Sequence, residues 1–424
     1  MSRVVAAAAV LMLAPPGAAG AATWSPPERV TGSMSGPTCC PGFGFSDAGN
    51  GLAVFTTQSI ESHTSGALTG TWYVRRNAAG DWSFRVLQPG HPEAFRTLEQ
   101  RVTADGRVLV FGTRVRFRPY RDRPTGLALR RGRLTDTGLK VDSTELLRKG
   151  APPSYDFAAN ESGDAVVAWA VKKGKHRGVF VRRASGGGEF GDVVRLAERF
   201  GRVQVAVGRN GHAVVAWARG TRLYARIAAR GGGFGERLGL GHDGTLHALA
   251  AGPSGQILMA RVRPPISRAK LIATITGPGG NPSEVHVLSG PDRNLYVAPP
   301  LALFDRAGRG LVAWTDQGTH VATLNGGDPR IEPIQPAGVV RDMAVGPAGG
   351  VALALSAGDA LYVASRGRAG DFAPAELAAP AGDPIDGAAV AFDPLTAQPN
   401  VLHLRYVGEG EPIDEAYVVA REPG

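Results

Sequence analysis

An all-β chain folded as one closed array of four-stranded units is what this sequence predicts, on three observations. The string DAVVAW (Asp164–Trp169) returns as HAVVAW (His212–Trp217), with a matching second half after each copy: GVFVRRASGGGEFG after the first and RLYARIAARGGGFG after the second. Gly and Pro make up 90 of the 424 residues and punctuate short Val, Ala and Leu runs, the pattern of many short strands joined by turns. The last unit stops after its third strand at Ala420, while TWSPPERV (Thr23–Val30) resembles the fourth strands of other units, so the chain start is expected to complete the final unit. No amphipathic helix is legible.

Aligned on the Gly six residues before the Trp, anchors fall at Gly49, Gly106, Gly163, Gly211, Gly255, Gly308 and Gly349, at intervals of 41 to 57 residues. The slot six residues on holds Phe55, Trp169, Trp217, Trp314 and Leu355; Phe111 arrives one place early, Arg261 takes the fifth slot, and a degenerate eighth copy runs from Ala389 to Tyr406. Each unit divides into segments A to D. Segment B, such as Ala165–Trp169, is apolar at every position and should be covered on both faces. Segment C mixes apolar residues with Arg, and segment D, such as Val193–Leu196, is a weak outer strand.

Stacked four-stranded units of this length read as β-propeller blades. The expected fold is a single all-β propeller of eight four-stranded blades, seven being the alternative, over residues 23–424. The repeats fall near 43–90, 100–149, 155–197, 202–240, 246–289, 299–336, 341–379 and 387–424, the last completed by 23–32. Residues 1–22 read as a secretory signal, with Arg3, an apolar run from Val4 to Ala14 and the small-residue site Ala19-Gly20-Ala21. The mature protein is therefore expected to be extracellular and monomeric, with no membrane span.

In this architecture the chain resembles the secreted bacterial β-propellers of the broad sialidase-like and WD40-like kind, over nearly all of the mature sequence. It contains neither a Ser-x-Asp-x-Gly-x-Thr-Trp box nor a Trp-Asp dipeptide, so the resemblance implies a fold and leaves the activity open. Adjacent cysteines in an eight-bladed frame are also similar to the quinone-dependent alcohol dehydrogenases, whose tryptophan docking motif and Ca²⁺-ligand cluster are missing here.

The net charge of +10 is compatible with an anionic partner. Lysine occurs only at positions 140, 149, 172, 173, 175 and 270, so Arg carries the charge beside abundant Ala and Gly, which reads equally as the mark of a GC-rich coding genome. Only clustering of the arginines would favour the first reading.

The longest connections fall on the face of the B–C and D–A loops, in the first two units: 31–44, 56–69, 90–97 and 113–125. Long polar loops on a rigid scaffold are where binding residues concentrate, although insertions are also simply tolerated at surfaces. The candidate ligand-binding residues are Arg114, Arg116, Arg118, Tyr120, Arg121, Arg123, His63 and His91. Cys39 and Cys40 are the only cysteines; an adjacent-residue disulfide clamping the loop is the favoured reading, with an intermolecular bridge or a soft-metal site as alternatives. The nine His show no HExxH, His-x-His or Cys-x-x-Cys pattern, and no Gly-x-Ser-x-Gly elbow or phosphate loop is present. No catalytic residue, metal or cofactor is assigned. The expected function is non-enzymatic binding of an extracellular protein, glycan or anionic cell-envelope polymer, with no nucleic acid. The alternative is a sialidase-like carbohydrate hydrolase or lyase at the mouth of the central channel, for which converging carboxylates would be the sign.

Overall fold

In the computed structural model the described residues are 23–30, 34–35, 42–57, 70–88, 93–116, 123–135, 138–174, 177–242, 245–264, 269–277, 282–290, 298–407 and 413–422. Among them every regular element is a strand. Eight antiparallel sheets follow one another along the chain, and each inner strand packs beside the inner strands of the blades before and after it, closing the ring. The chain is an eight-bladed β-propeller.

Blade 3 shows why these residues make this element. Its strands Ser154–Ala159, Ala165–Val171, Gly178–Ala184 and Val194–Ala197 pair in sequence order from the channel outward. The second strand is buried at every position from Ala165 to Ala170. Side chains alternate across a strand, so Val167 and Trp169 enter the seam with blade 2 while Val166, Ala168 and Ala170 enter the seam with blade 4. That division explains the unbroken apolar run that the sequence repeats. Eight apolar clusters occur among the described residues, and each joins just two neighbouring blades.

The anchor glycines close the turn between the first and second strands. Gly163 sits at φ 79° and donates its N–H to the Asn160 carbonyl at 3.0 Å; the other six anchors have φ between 78° and 87°. A side chain is strained in that left-handed region, and a Cβ on Gly163 would also lie 2.7 Å from the backbone nitrogen of Gly187. Blade 8 departs from the rule, with Ala397 holding the corresponding place at φ 55°. Ala397→Gly is accordingly expected to raise the unfolding free energy by roughly 0.5–1 kcal/mol, relief of strain exceeding the added freedom of the unfolded chain. Urea denaturation checks this, and a lowered midpoint would refute it.

The segment 23–30 closes the ring as the sequence suggests. Glu28 and Arg29 pair with Val418 and Tyr417, making a fourth strand beside Ile413–Ala420 of blade 8. Ser25 N–H donates to the Ala420 carbonyl at 2.8 Å and Val30 N–H to the Ala416 carbonyl at 3.0 Å. A further two-residue strand, Met34–Ser35, pairs with Asp414 and Ile413.

Candidate functional site

Two arrangements carry chemistry: a cationic ribbon on blade 2, and a polar layer in the channel wall. The ribbon comes from strands that run further than the sequence suggests. Residues 113–125 read as a loop, but the second strand of blade 2, Arg107–Arg116, continues to Arg116, and the third, Arg123–Thr135, restarts at Arg123. The alternation Thr113-Arg114-Val115-Arg116 has the period of a strand with one wet face, and Val115 is buried. Arg116 stands opposite Arg123, and Val115 opposite Pro124, at a register shift that accommodates a residue unable to donate. Similarly, the connection read at 90–97 is strand from Glu93 onward.

Of the sequence-predicted residues, Arg114, Arg116 and Arg123 are thus brought together. Arg118, Tyr120, Arg121, His63, His91, Cys39 and Cys40 lie outside the described residues, and the disulfide reading with them. Arg130, on the third strand of the same blade, has its guanidinium 4.3 Å from the centre of the Phe95 ring. Burial, with the like charge of Arg114 adding to it, lowers the Arg130 pKa to about 10.

The channel wall shows a feature that the sequence reading missed. Seven residues before the anchor glycines stand Glu99, Asp156, Gln204 and Asp342, on the inner strands of blades 2, 3, 4 and 7. Alignment on the anchors places them in one repeat position, the signal that could have found them. The remaining wall at that level is small or apolar, with Gly42, Ala248, Leu301 and, by strand pairing in blade 8, whose turn is one residue longer, Ala389.

Three of the four fasten one blade to the next. The Asp156 carboxylate accepts the Val205 N–H of blade 4 at 2.7 Å, and that of Asp342 accepts the Val390 N–H of blade 8 at 2.9 Å and its own neighbour Met343 N–H at 2.8 Å. Gln204 donates to the His247 carbonyl of blade 5 at 3.3 Å. Burial raises the Asp156 pKa to about 7, against its two backbone hydrogen bonds, and that of Asp342 to about 6. Glu99 is pushed well above the usual carboxylate range, first by the protein packed round it and then by the charge of Asp156, with Arg101 acting in the opposite sense. Although protein surrounds Glu99, its side chain is reached by water, as a group projecting into a channel must be.

At the opposite end, on the side of the turns between first and second strands, a cavity of about 810 Å³ includes Asp47, Glu161, Arg209 and Arg306 among its lining residues. Arg306 of blade 6 reaches across to Glu161 of blade 3, with 3.5 Å between Nη2 and Oε2, and donates to the Gly346 carbonyl of blade 7 at 2.7 Å. The turns of blades 1, 2 and 3 are linked by main-chain bonds from Asp47 to Ala104 and from Ala104 to Glu161, at 2.8 and 2.9 Å. Among the described residues there is no group of three His, Cys, Asp or Glu arranged to hold a metal ion.

No family model matches the chain, and no curated protein matches it. Among solved structures, the Dos1 propeller aligns over 93% of this chain and 95% of its own with a TM-score of 0.55 at 10% identity. The polysaccharide lyase Uly1 aligns over 89% of this chain and 90% of its own (TM-score 0.45, 9% identity), and YCF48 bound to D1 peptide over 77% and 95% (TM-score 0.43, 15% identity). At these identities the likeness shows the fold alone, and the fold is hosted by binding proteins and enzymes alike.

Proposed function

We propose that the chain is an exported, non-enzymatic binding propeller that recognises an acidic extracellular protein, glycan or cell-envelope polymer through the face carrying the blade 2 ribbon. The observation that supports it is the register of that ribbon, with Arg116 directly opposite Arg123 and Arg114 two residues away. Like charges paired across strands cost folding free energy, on the order of 0.2–1 kcal/mol per pair. An anion bridging arginines that stand opposite one another offsets their repulsion, which suits such a register to a bound polyanion.

A second reading is a carbohydrate hydrolase or lyase working in the channel, and the pair Glu99 and Asp156 favours it. A carboxyl whose pKa is raised by burial and by a neighbouring carboxylate is the equipment of acid–base catalysis. Asp156, however, already accepts a backbone hydrogen bond from the next blade.

One experiment separates the two. The triple variant Arg114→Ala, Arg116→Ala, Arg123→Ala is expected to leave immobilised heparin at clearly lower salt than the parent. A control removing the exposed Arg202, Arg222 and Arg368 should shift elution less, and Glu99→Gln not at all. Equal elution of the ribbon and control triples would sink the binding reading.

A further inference from the structure

The third strands of blades 2, 3 and 4 carry an arginine at one repeat position. Arg130 stands opposite Val110, Arg182 opposite Val167 and Arg226 opposite Val215, and each of those valines lies four residues after its anchor glycine. What answers the charge differs from seam to seam. Between blades 2 and 3 it is a carboxylate: Glu145, on the outer strand of blade 2, takes Arg182 at 2.9 Å on one oxygen and Arg131 at 2.9 Å on the other. Both guanidiniums lie over the ring of Phe190, at 5.8 and 5.7 Å from its centre.

The seam between blades 3 and 4 has arginines at the same two repeat positions and, among the described residues, no carboxylate between them; Arg183 there donates to the carbonyls of Gly232 at 2.6 Å, Ala229 at 3.0 Å and Gly211 at 3.4 Å. Arg183 takes the place of Arg131 and lies 5.6 Å from the centre of the Phe234 ring, Phe234 taking the place of Phe190. Arg226 takes the place of Arg182. The residue corresponding to Glu145, set by its pairing with the strand inside it, is Val194: Glu145 pairs with Leu129, and Val194 with the equivalent Val181. Leu196 fills the apolar site of Leu147, both being buried, and Ala197 stands where blade 2 has Arg148 over the Trp169 ring.

Two consequences are visible. Val194 is 47% exposed, an apolar side chain in water where a paired carboxylate would stand. Arg226 makes no hydrogen bond or ion pair among the described residues, and its Nε is buried without a partner. Beside it opens a cavity of about 890 Å³, lined by Trp217, Tyr224, Arg226, Phe234 and Arg237 among others.

We propose that this groove between blades 3 and 4 is a binding site for a glutamate-bearing, extended segment of a partner polypeptide, whose carboxylate takes, beside Arg226, the place that Glu145 holds in the neighbouring seam. A buried guanidinium nitrogen left without an acceptor costs free energy that an incoming carboxylate restores, and a carboxylate on a guanidinium forms strong, charge-assisted bonds. The choice of a peptide follows from the filled copy of the site, where the occupant is a glutamate on a β-strand with an apolar residue, Leu147, two places on. A sugar ring would need a free aromatic face, but Arg237 already lies 4.9 Å from the centre of the Tyr224 ring, and Trp217 is 2% exposed. This inference stands apart from the blade 2 ribbon, which lies elsewhere on the ring.

The test uses the whole protein and a fluorescein-labelled peptide with a Glu-x-Leu core, titrated by polarisation. Arg226→Ala should weaken binding by about tenfold or more, the loss of a bond to a charged group. Val194→Glu should do the same for the opposite reason, since it supplies the carboxylate internally, and it should also raise the melting temperature. The ribbon triple variant should bind the peptide as the parent does. Unchanged affinity in Val194→Glu, no binding to the parent, or Arg226-dependent binding of oligogalacturonate in place of the peptide would each overturn the proposal.

Discussion

Removal of residues 23–30 is expected to lower the unfolding free energy by roughly 3–6 kcal/mol and to make the protein prone to association. The segment contributes main-chain bonds at Ser25 and Val30, and a third where Glu422 N–H donates to the Thr23 carbonyl at 2.9 Å, each worth about 1 kcal/mol net. Val30 is 6% exposed in the seam between blades 8 and 1, and Trp24 packs in the seam between blades 7 and 8 while donating to Glu376 at 2.9 Å. Burial of a valine alone contributes about 1.5 kcal/mol or more. Without the segment, the strand Ile413–Ala420 loses its partner around Tyr417 and Val418 and exposes unpaired main-chain groups there, the usual template for intermolecular pairing. Urea denaturation and light scattering provide the readouts. Should the shortened chain fail to accumulate, Val30→Ala is the milder form, expected to cost about 1–2 kcal/mol. A denaturation midpoint indifferent to both changes would mean that the ring is held shut by other contacts.

Asp156→Asn should change how stability responds to pH. The folded protein keeps a proton on Asp156 up to about pH 7, whereas an unfolded chain releases it near pH 3.9. Between those values the native state binds more protons than the unfolded one, so this group's contribution is fully present in acid and is lost as the pH rises to neutrality. Asparagine cannot ionise, yet its side-chain oxygen can still accept the Val205 N–H. Relative to the parent, the variant is therefore expected to gain roughly 2–4 kcal/mol between pH 4 and pH 8, the lower figure allowing for water in the channel. Asp342→Asn should behave alike over a narrower range, because its pKa is raised only to about 6. A difference between variant and parent that stays constant with pH would show that Asp156 ionises in the folded protein as readily as in a peptide.

Much of the fold could be read from the sequence because its determinants are local and repeated. The run Ala165-Val166-Val167-Ala168-Trp169 announces a strand buried on both faces, and the left-handed glycine six residues before the tryptophan marks the turn that precedes it. Even the closing strand was legible, since TWSPPERV is defined by what the last blade lacks. The candidate site was far less so. An arginine-rich stretch suggests a loop, but in Thr113–Arg116 the alternation of β-branched and charged residues extends a strand instead. Glu99, Asp156, Gln204 and Asp342 each look like an ordinary polar residue until the blades are superposed. Pairs such as Glu145 with Arg182, or Glu161 with Arg306, lie 37 and 145 positions apart and follow from ring geometry, which no local pattern encodes.

Among the described residues there is one cluster at every seam and no core shared by all blades, which has a consequence for how the molecule comes apart. In a linear array of stacked units the terminal unit leans on a single neighbour and can fray by itself. In this ring no unit is terminal, so freeing any blade breaks two apolar contacts together. Eight modest interfaces thereby act as a single cooperative unit, and the eight residues from Thr23 to Val30 reinforce the seam at which the two ends of the circle meet.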